Sequence, residues 1–248
     1  MKINKALAKA VEKVNKNRNK NFVYKIIFST KDIISRRWRT YRGYKYWVIE
    51  EYKTMHLPVY KAGSTTIQRT LSKITSDRKK IHPFASSRDF LKKYKDEYFM
   101  FSLSRNPYDR LVSGYFDKIN KSYEGSGKVY RNLGPRNFHK DMSFKEFVKE
   151  LFKDKDKDVE EHFRSQYRLL ADKQGNLIPH FIGKVENFDE DFKKVCQRMG
   201  IPDEKIPKIE KQNTTKRDRD YRKYYDEETK KLVQERYKKD LELFGYEF

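Results

Sequence analysis

Cysteine is almost missing: Cys196 is the single one in 248 residues, which excludes an internal disulfide framework and any multi-cysteine metal site. Long apolar runs are missing too. No stretch approaches the roughly 20 residues that span a bilayer, and the opening MKINKALAKAVEKVNKNRNK lacks the apolar core of a signal peptide. The expectation is a cytoplasmic protein without a membrane span. Acidic residues are in short supply, 36 Asp and Glu against 58 Lys and Arg, for a formal net charge of +22. That surplus attracts polyanions but does not choose among nucleic acid, acidic polysaccharide, anionic membrane and a phosphorylated cofactor. A Walker A loop is also lacking. GxxxxGK[ST] needs its lysine after the second glycine, whereas Lys61 precedes the only glycine between Met55 and Leu71, which disfavours an ordinary ATPase or kinase.

Aromatic residues are plentiful, 15% of the chain, too many for a solvated coil. The length allows one substantial domain with appended helices. Residues 1–53 read as a basic, largely helical N-terminal extension, in which Leu7, Ala10, Val11 and Val14 give a weak amphipathic pattern. Arg36, Arg37, Trp38, Arg39 and Arg42 mix charge with an aromatic ring, as nucleic-acid surfaces do. No RRM, zinc-finger or helix-turn-helix pattern accompanies them, so a packed appendage with a solvated basic face is the better account.

Residues 54–248 form the main domain, centred on MHLPVYKAGSTTIQRTL, Met55 to Leu71. An apolar entry (Met55, Leu57, Val59) reaches Lys61, then Gly63, Ser64, Thr65 and Thr66, then Ile67, Leu71 and Ile74 at helical spacing. The pattern predicts strand, tight loop and helix. Glycine allows the turn, and the first free N–H groups of the helix favour an anion such as phosphate or sulfate. The same arrangement recurs throughout α/β proteins, so alone it does not establish an anion cradle.

A second segment repeats the logic. Tyr98 to Ser104 predicts a strand ending at Arg105, and Asn106 with Pro107 predicts a capped helix carrying Leu111, Tyr115 and Ile119 on one face. Ser113 falls two turns beyond Arg105, so a guanidinium and a hydroxyl are placed to grip one phosphate. Elsewhere, Lys79–Phe84 predicts a short strand, Ser86–Lys93 a capped helix, and Ser143 with Glu146 a capping box. Asn120–Met142 reads as a polar lid or acceptor wall, and KDKDKD at 153–158 as a solvated turn. Phe181–Asn187 predicts a strand leading to a helix with Phe188, Phe192, Val195 and Met199 inward.

KAGSTT after one strand, followed by SRNPYDRLVSGY after another, resembles the sulfotransferases that use 3′-phosphoadenosine-5′-phosphosulfate (PAPS), particularly the carbohydrate branch. The resemblance covers Thr54 to Phe248 and implies an α/β, P-loop-like fold with a mostly parallel central sheet flanked by helices. It implies sulfuryl transfer to a carbohydrate hydroxyl, possession of no metal, and no specific nucleic-acid partner. By matching position, Lys61, Ala62, Gly63, Ser64, Thr65 and Thr66 resemble the 5′-phosphosulfate loop, and Arg105 with Ser113 the 3′-phosphate pair. Tyr60 and Ala62 depart from the proline and threonine usual beside the loop lysine. Thr215, Lys216 and Arg217 stand where relatives close over the nucleotide.

Sulfuryl transfer of this kind needs positioning, a counter-charge and a base. Histidine suits the last role near neutral pH. His82, in HPFASSRDFL, resembles the family histidine ahead of the 3′-phosphate arginine and is the first choice. His162, in VEEHFRSQYRLL, is the second, and for His56, His139 and His180 a structural role is the default. A basic, non-catalytic nucleic-acid-binding module is the alternative from another class.

Overall fold

Hydrophobic side chains on opposite faces of Tyr44–Ile49 (β1) and Phe99–Ser104 (β4) feed two different cores, and Thr54–His56 (β2) adds Met55 to one of them. Val48, Met55 and Met100 belong to one, and Ile49, Phe101 and Leu103 to the other. The computed structural model describes residues 44–76, 81–86, 91, 94–119, 138–139, 142–208 and 217–248. All fall in one compact unit, Tyr44–Phe248. Residues 44–53, expected in the extension, therefore belong with the sheet, where Tyr46, Val48 and Ile49 are buried. The remainder of that extension, with its arginine-rich patch, lies outside the described residues, as does most of the Asn120–Met142 loop.

Ile81–Ser86 (β3) and Phe181–Lys184 (β5) complete a described sheet of order β3-β1-β2-β4-β5. β1 is antiparallel to both β2 and β3, while β2 with β4 and β4 with β5 are parallel. Four strands thus run one way and β1 alone opposes them, which gives the mostly parallel α/β sheet that the resemblance implied. Ser86 ends β3, where its backbone pairs with Tyr44, and most of the helix expected at 86–93 lies outside the described residues.

One face of the sheet is covered by Ser64–Ile74 (α1) and Phe188–Arg198 (α5), whose Ile67, Leu71, Phe192 and Val195 are fully buried. Gln166–Leu170 (α4) and Lys238–Phe244 (α7) pack on the other, through Leu169, Leu170 and Phe244. A helical layer joins Pro107–Lys118 (α2), Phe144–Leu151 (α3) and Glu227–Arg236 (α6) around Leu111, Tyr115, Phe147 and Val233. The Ser143–Glu146 capping box starts α3 as expected. The terminal helical stretch is broken at Tyr237, whose buried hydroxyl donates to the Phe163 carbonyl at 2.6 Å. Among the described residues no helix is long and apolar enough to cross a membrane.

The carboxyl ends of β2, β4 and β5 share one edge. The 57–63 loop, Arg105 and the turn at Val185–Asn187 all leave from it, the position where open α/β sheets bind ligands.

Candidate active site

Beyond β2 the chain is anchored by buried Leu57 and Val59, then tightens. Ala62 N–H and the Ser64 hydroxyl both donate to the Val59 carbonyl, at 3.1 and 2.8 Å. Gly63 turns into α1 with φ +74°, and a Cβ there would lie 3.0 Å from the Phe188 ring, so the position is closed to side chains twice over. The first helical bond, Ile67 N–H to the Gly63 carbonyl at 3.0 Å, leaves the Ser64, Thr65 and Thr66 N–H groups outside the ladder.

Lys61 is also left-handed, at φ +66°, a conformation that costs a non-glycine residue about 1–3 kcal/mol and needs outside support. Two arginines of the second segment supply it. Arg105 Nη1 donates to the Lys61 carbonyl and Arg110 Nε to the Tyr60 carbonyl, each at 2.9 Å. The two segments singled out in the sequence therefore meet.

The second segment begins as expected. Asn106 caps α2 by accepting from Tyr108 N–H at 3.0 Å, with Pro107 at the first helical position. Glu186 accepts from Asn106 N–H at 2.8 Å and from the Tyr246 hydroxyl at 2.9 Å, so it holds the helix start and the chain's FGY end. Leu111, Tyr115 and Ile119 are buried. On the other side of α2, Asp109, Ser113 and Asp117 form a polar stripe at i, i+4, i+8.

That stripe neutralises the cations of the site. Asp109 Oδ2 accepts from Arg105 Nε at 2.8 Å and pairs with its Nη2 at 2.7 Å, while Asp109 Oδ1 takes Arg217 Nη2. Asp117 pairs with Lys61 and with Lys118, both at 3.1 Å. Ser113 between them is buried. Burial pulls the Lys61 ammonium below the ordinary lysine pKa, opposed by Asp117, with Lys118 and Arg105 adding to the fall. Burial alone would raise Asp117, but the Lys61 and Lys118 charges hold its carboxyl below the ordinary value.

His162 stands beside the loop. Its ring lies 4.4 Å from the Tyr60 ring, and Nδ1 is 2.7 Å from Glu160 Oε1. With Nδ1–H donated to that carboxylate, Nε2 carries the lone pair. Burial acts to raise Glu160, but the His162 ring and backbone N–H hold it below the ordinary carboxyl range. Arg110 fixes this turn against the loop: besides Tyr60 it donates to the Arg164 and Glu161 carbonyls, at 2.8 and 3.2 Å, from a fully buried guanidinium.

The structure thus brings together Lys61, Ala62, Gly63, Ser64, Thr65, Thr66, Arg105, Ser113, Arg217 and His162. His82 is not among them. Its backbone sits in β3 opposite Val48, and β1 lies between β3 and β2. Thr215 and Lys216 lie outside the described residues. His56 is buried, stacked 5.0 Å from Phe101, and kept neutral by burial that lowers its pKa to about 3. His180 Nδ1 accepts from Met100 N–H at 2.9 Å. Asp156, expected in a solvated turn, instead accepts from the Ser165 hydroxyl at 2.6 Å and pairs with Arg168 at 2.8 Å. Cavities of about 510 and 540 Å³ open around residues 152–157 and 230–248, and neither is lined by Lys61 or Arg105.

Sequence reading missed Asp109, Asp117, Arg110 and Glu160. A signal existed for the first two, since polar residues four apart on a helix with an apolar opposite face mark a second functional side.

A helix N-terminus behind a glycine turn, with a half-buried lysine and a strand-end arginine at the carboxyl edge of an α/β sheet, defines an anion-binding site of the α/β class. The particular family follows from comparison: residues 44–247 match the model described as Sulfotransferase family, and the chain belongs to that family. It is a sulfotransferase, a transferase that moves sulfuryl groups. An uncharacterized protein of Archaeoglobus fulgidus is 30% identical over 132 residues, which make up 53% of this chain and 89% of the relative. No solved structure matches the chain.

Proposed function

We propose that the donor is PAPS and the acceptor a carbohydrate hydroxyl, with an acidic polysaccharide suited to the +22 formal charge. The observation that carries this reading is the 2.9 Å hydrogen bond from Arg105 to the Lys61 carbonyl, which makes one site of two anion-binding turns. Lys61 and the free N–H groups of α1 take the 5′-phosphosulfate. Arg105, Ser113 and Arg217 take the 3′-phosphate, and Thr215 and Lys216 are assigned to the same end by their place in the chain.

Transfer breaks the bond between sulfur and the bridging phosphate oxygen and forms one between sulfur and the acceptor oxygen. The electron pair leaves on the phosphate, giving adenosine 3′,5′-bisphosphate, and Lys61 meets the charge that develops there. The acceptor proton passes to His162 Nε2, and Glu160 stabilises the imidazolium that results. His162 replaces His82 as the proposed base because it has both an orienting carboxylate and the neighbouring loop.

Calorimetric titration of adenosine 3′,5′-bisphosphate tests the donor site. Saturable binding that is lost in Lys61→Ala and Arg105→Ala supports the assignment; no binding by the wild type rejects it. Labelled PAPS offered to acidic polysaccharides, neutral glycans and tyrosine peptides then tests the acceptor class.

A further inference from the structure

Asp109 sits in the wrong place for a simple anion site. A carboxylate between Arg105 and Arg217 repels a phosphate, yet neither arginine is fully used. A guanidinium has five N–H donors. Asp109 and the Lys61 carbonyl take three from Arg105. Asp109 and the Asp218 carbonyl, the latter at 3.1 Å, take two from Arg217. Donors remain on both.

Two guanidinium groups brought to one place repel each other, and the cost rises as water is excluded. The Arg217 side chain is only 7% exposed and that of Asp109 19%. The carboxylate cancels that repulsion and fixes both planar forks, so no reorganisation is needed when a further anion arrives. It also ties the C-terminal part of the chain to the end of β4.

We infer that Asp109 is a positioning residue that sets selectivity for a nucleotide carrying a 3′-phosphate, by holding Arg105 and Arg217 as a paired clamp. This rests on the donor assignment above. The clamp belongs to the 3′ end alone, because Lys61 at the other end has its own partner in Asp117.

The test compares adenosine 3′,5′-bisphosphate with adenosine 5′-monophosphate by calorimetry on the full chain, using wild type, Asp109→Asn, Asp109→Glu and Arg217→Gln. The wild type prefers the bisphosphate by about tenfold or more, the scale of one lost charge-assisted pair. Asp109→Asn and Arg217→Gln bring that preference close to unity by weakening the bisphosphate while monophosphate affinity is kept, and Asp109→Glu restores part of it. Equal loss of both nucleotides in Asp109→Asn at an unchanged unfolding midpoint, or tighter bisphosphate binding, overturns the inference. Should Asp109→Asn fail to fold, an unchanged preference in Arg217→Gln overturns it as well. A wild type that binds neither nucleotide, or shows no preference, rejects the donor assignment itself and the clamp with it.

Discussion

Arg105 and Lys61 touch through a side chain and a backbone: the guanidinium Nη1 donates to the lysine carbonyl at 2.9 Å. The strand-end arginine thereby shapes the turn that aims the lysine, so its charge is only part of its role. Arg105→Lys keeps the charge and loses the planar fork that serves Asp109 and the Lys61 carbonyl together. Affinity for adenosine 3′,5′-bisphosphate is expected to fall about tenfold or more in the lysine variant. Calorimetry checks this, and wild-type affinity would show that the fork is dispensable.

Lys61 predicts an alkaline limb. Burial favours its neutral form, so the ammonium is lost at lower pH than that of a free lysine. Donor binding that needs the charge is complete below that lowered pKa and disappears as pH rises through it. Asp117 opposes the fall. Asp117→Asn therefore moves the limb to lower pH, measured as nucleotide affinity across the alkaline range. An unmoved limb would assign the titration to another group.

His162 and Glu160 separate chemistry from binding. His162→Gln is expected to lower turnover by about 10²–10⁴-fold, the span of general base catalysis, with bisphosphate affinity retained. Glu160→Gln falls between it and wild type, because the imidazole loses the charge that orients it. His82→Gln leaves turnover near the wild-type value. Labelled-donor transfer to an acceptor reads all three, and a collapse in His82→Gln with normal His162→Gln turnover would restore the order that the sequence implied.

Gly114 tests the packing beneath the proposed base. A Cβ there would lie 2.5 Å from Cε1 of Phe163, the residue after His162. Gly114→Ala is expected to destabilise the fold by about 1–3 kcal/mol, as overpacked cores do, and to lower turnover more than nucleotide affinity. Thermal unfolding together with calorimetry checks both halves.

Helix α2 shows what the amino-acid order makes legible. Its start was written in Asn106 and Pro107, and its buried face in Leu111, Tyr115 and Ile119, because caps and stripes are local. The roles of Asp109 and Asp117 depend on Arg217 and Lys61, which are brought to them only by the folded chain. β1 was hidden for a related reason. YKYWVI follows a long basic and aromatic stretch without a breaker except Gly43, and only pairing with β2 and β3 makes it a strand. The position of His82 in the sheet was hidden in the same way. Spacing along the chain put it ahead of Arg105, but strand order, which no local pattern encodes, set β1 between β3 and β2.

The carboxylates of α2 have a consequence for how this enzyme can change. Asp109 and Asp117 are two turns apart on one rod, so the distance between the lysine end and the arginine end is locked to the pitch of a helix. The turn bearing His162 is held to the same helix, because Arg110 of α2 donates to the Arg164 and Glu161 carbonyls. Lysine, arginine and histidine turn are thus hung on a single rod, and any bend or shift of α2 would carry all three at once.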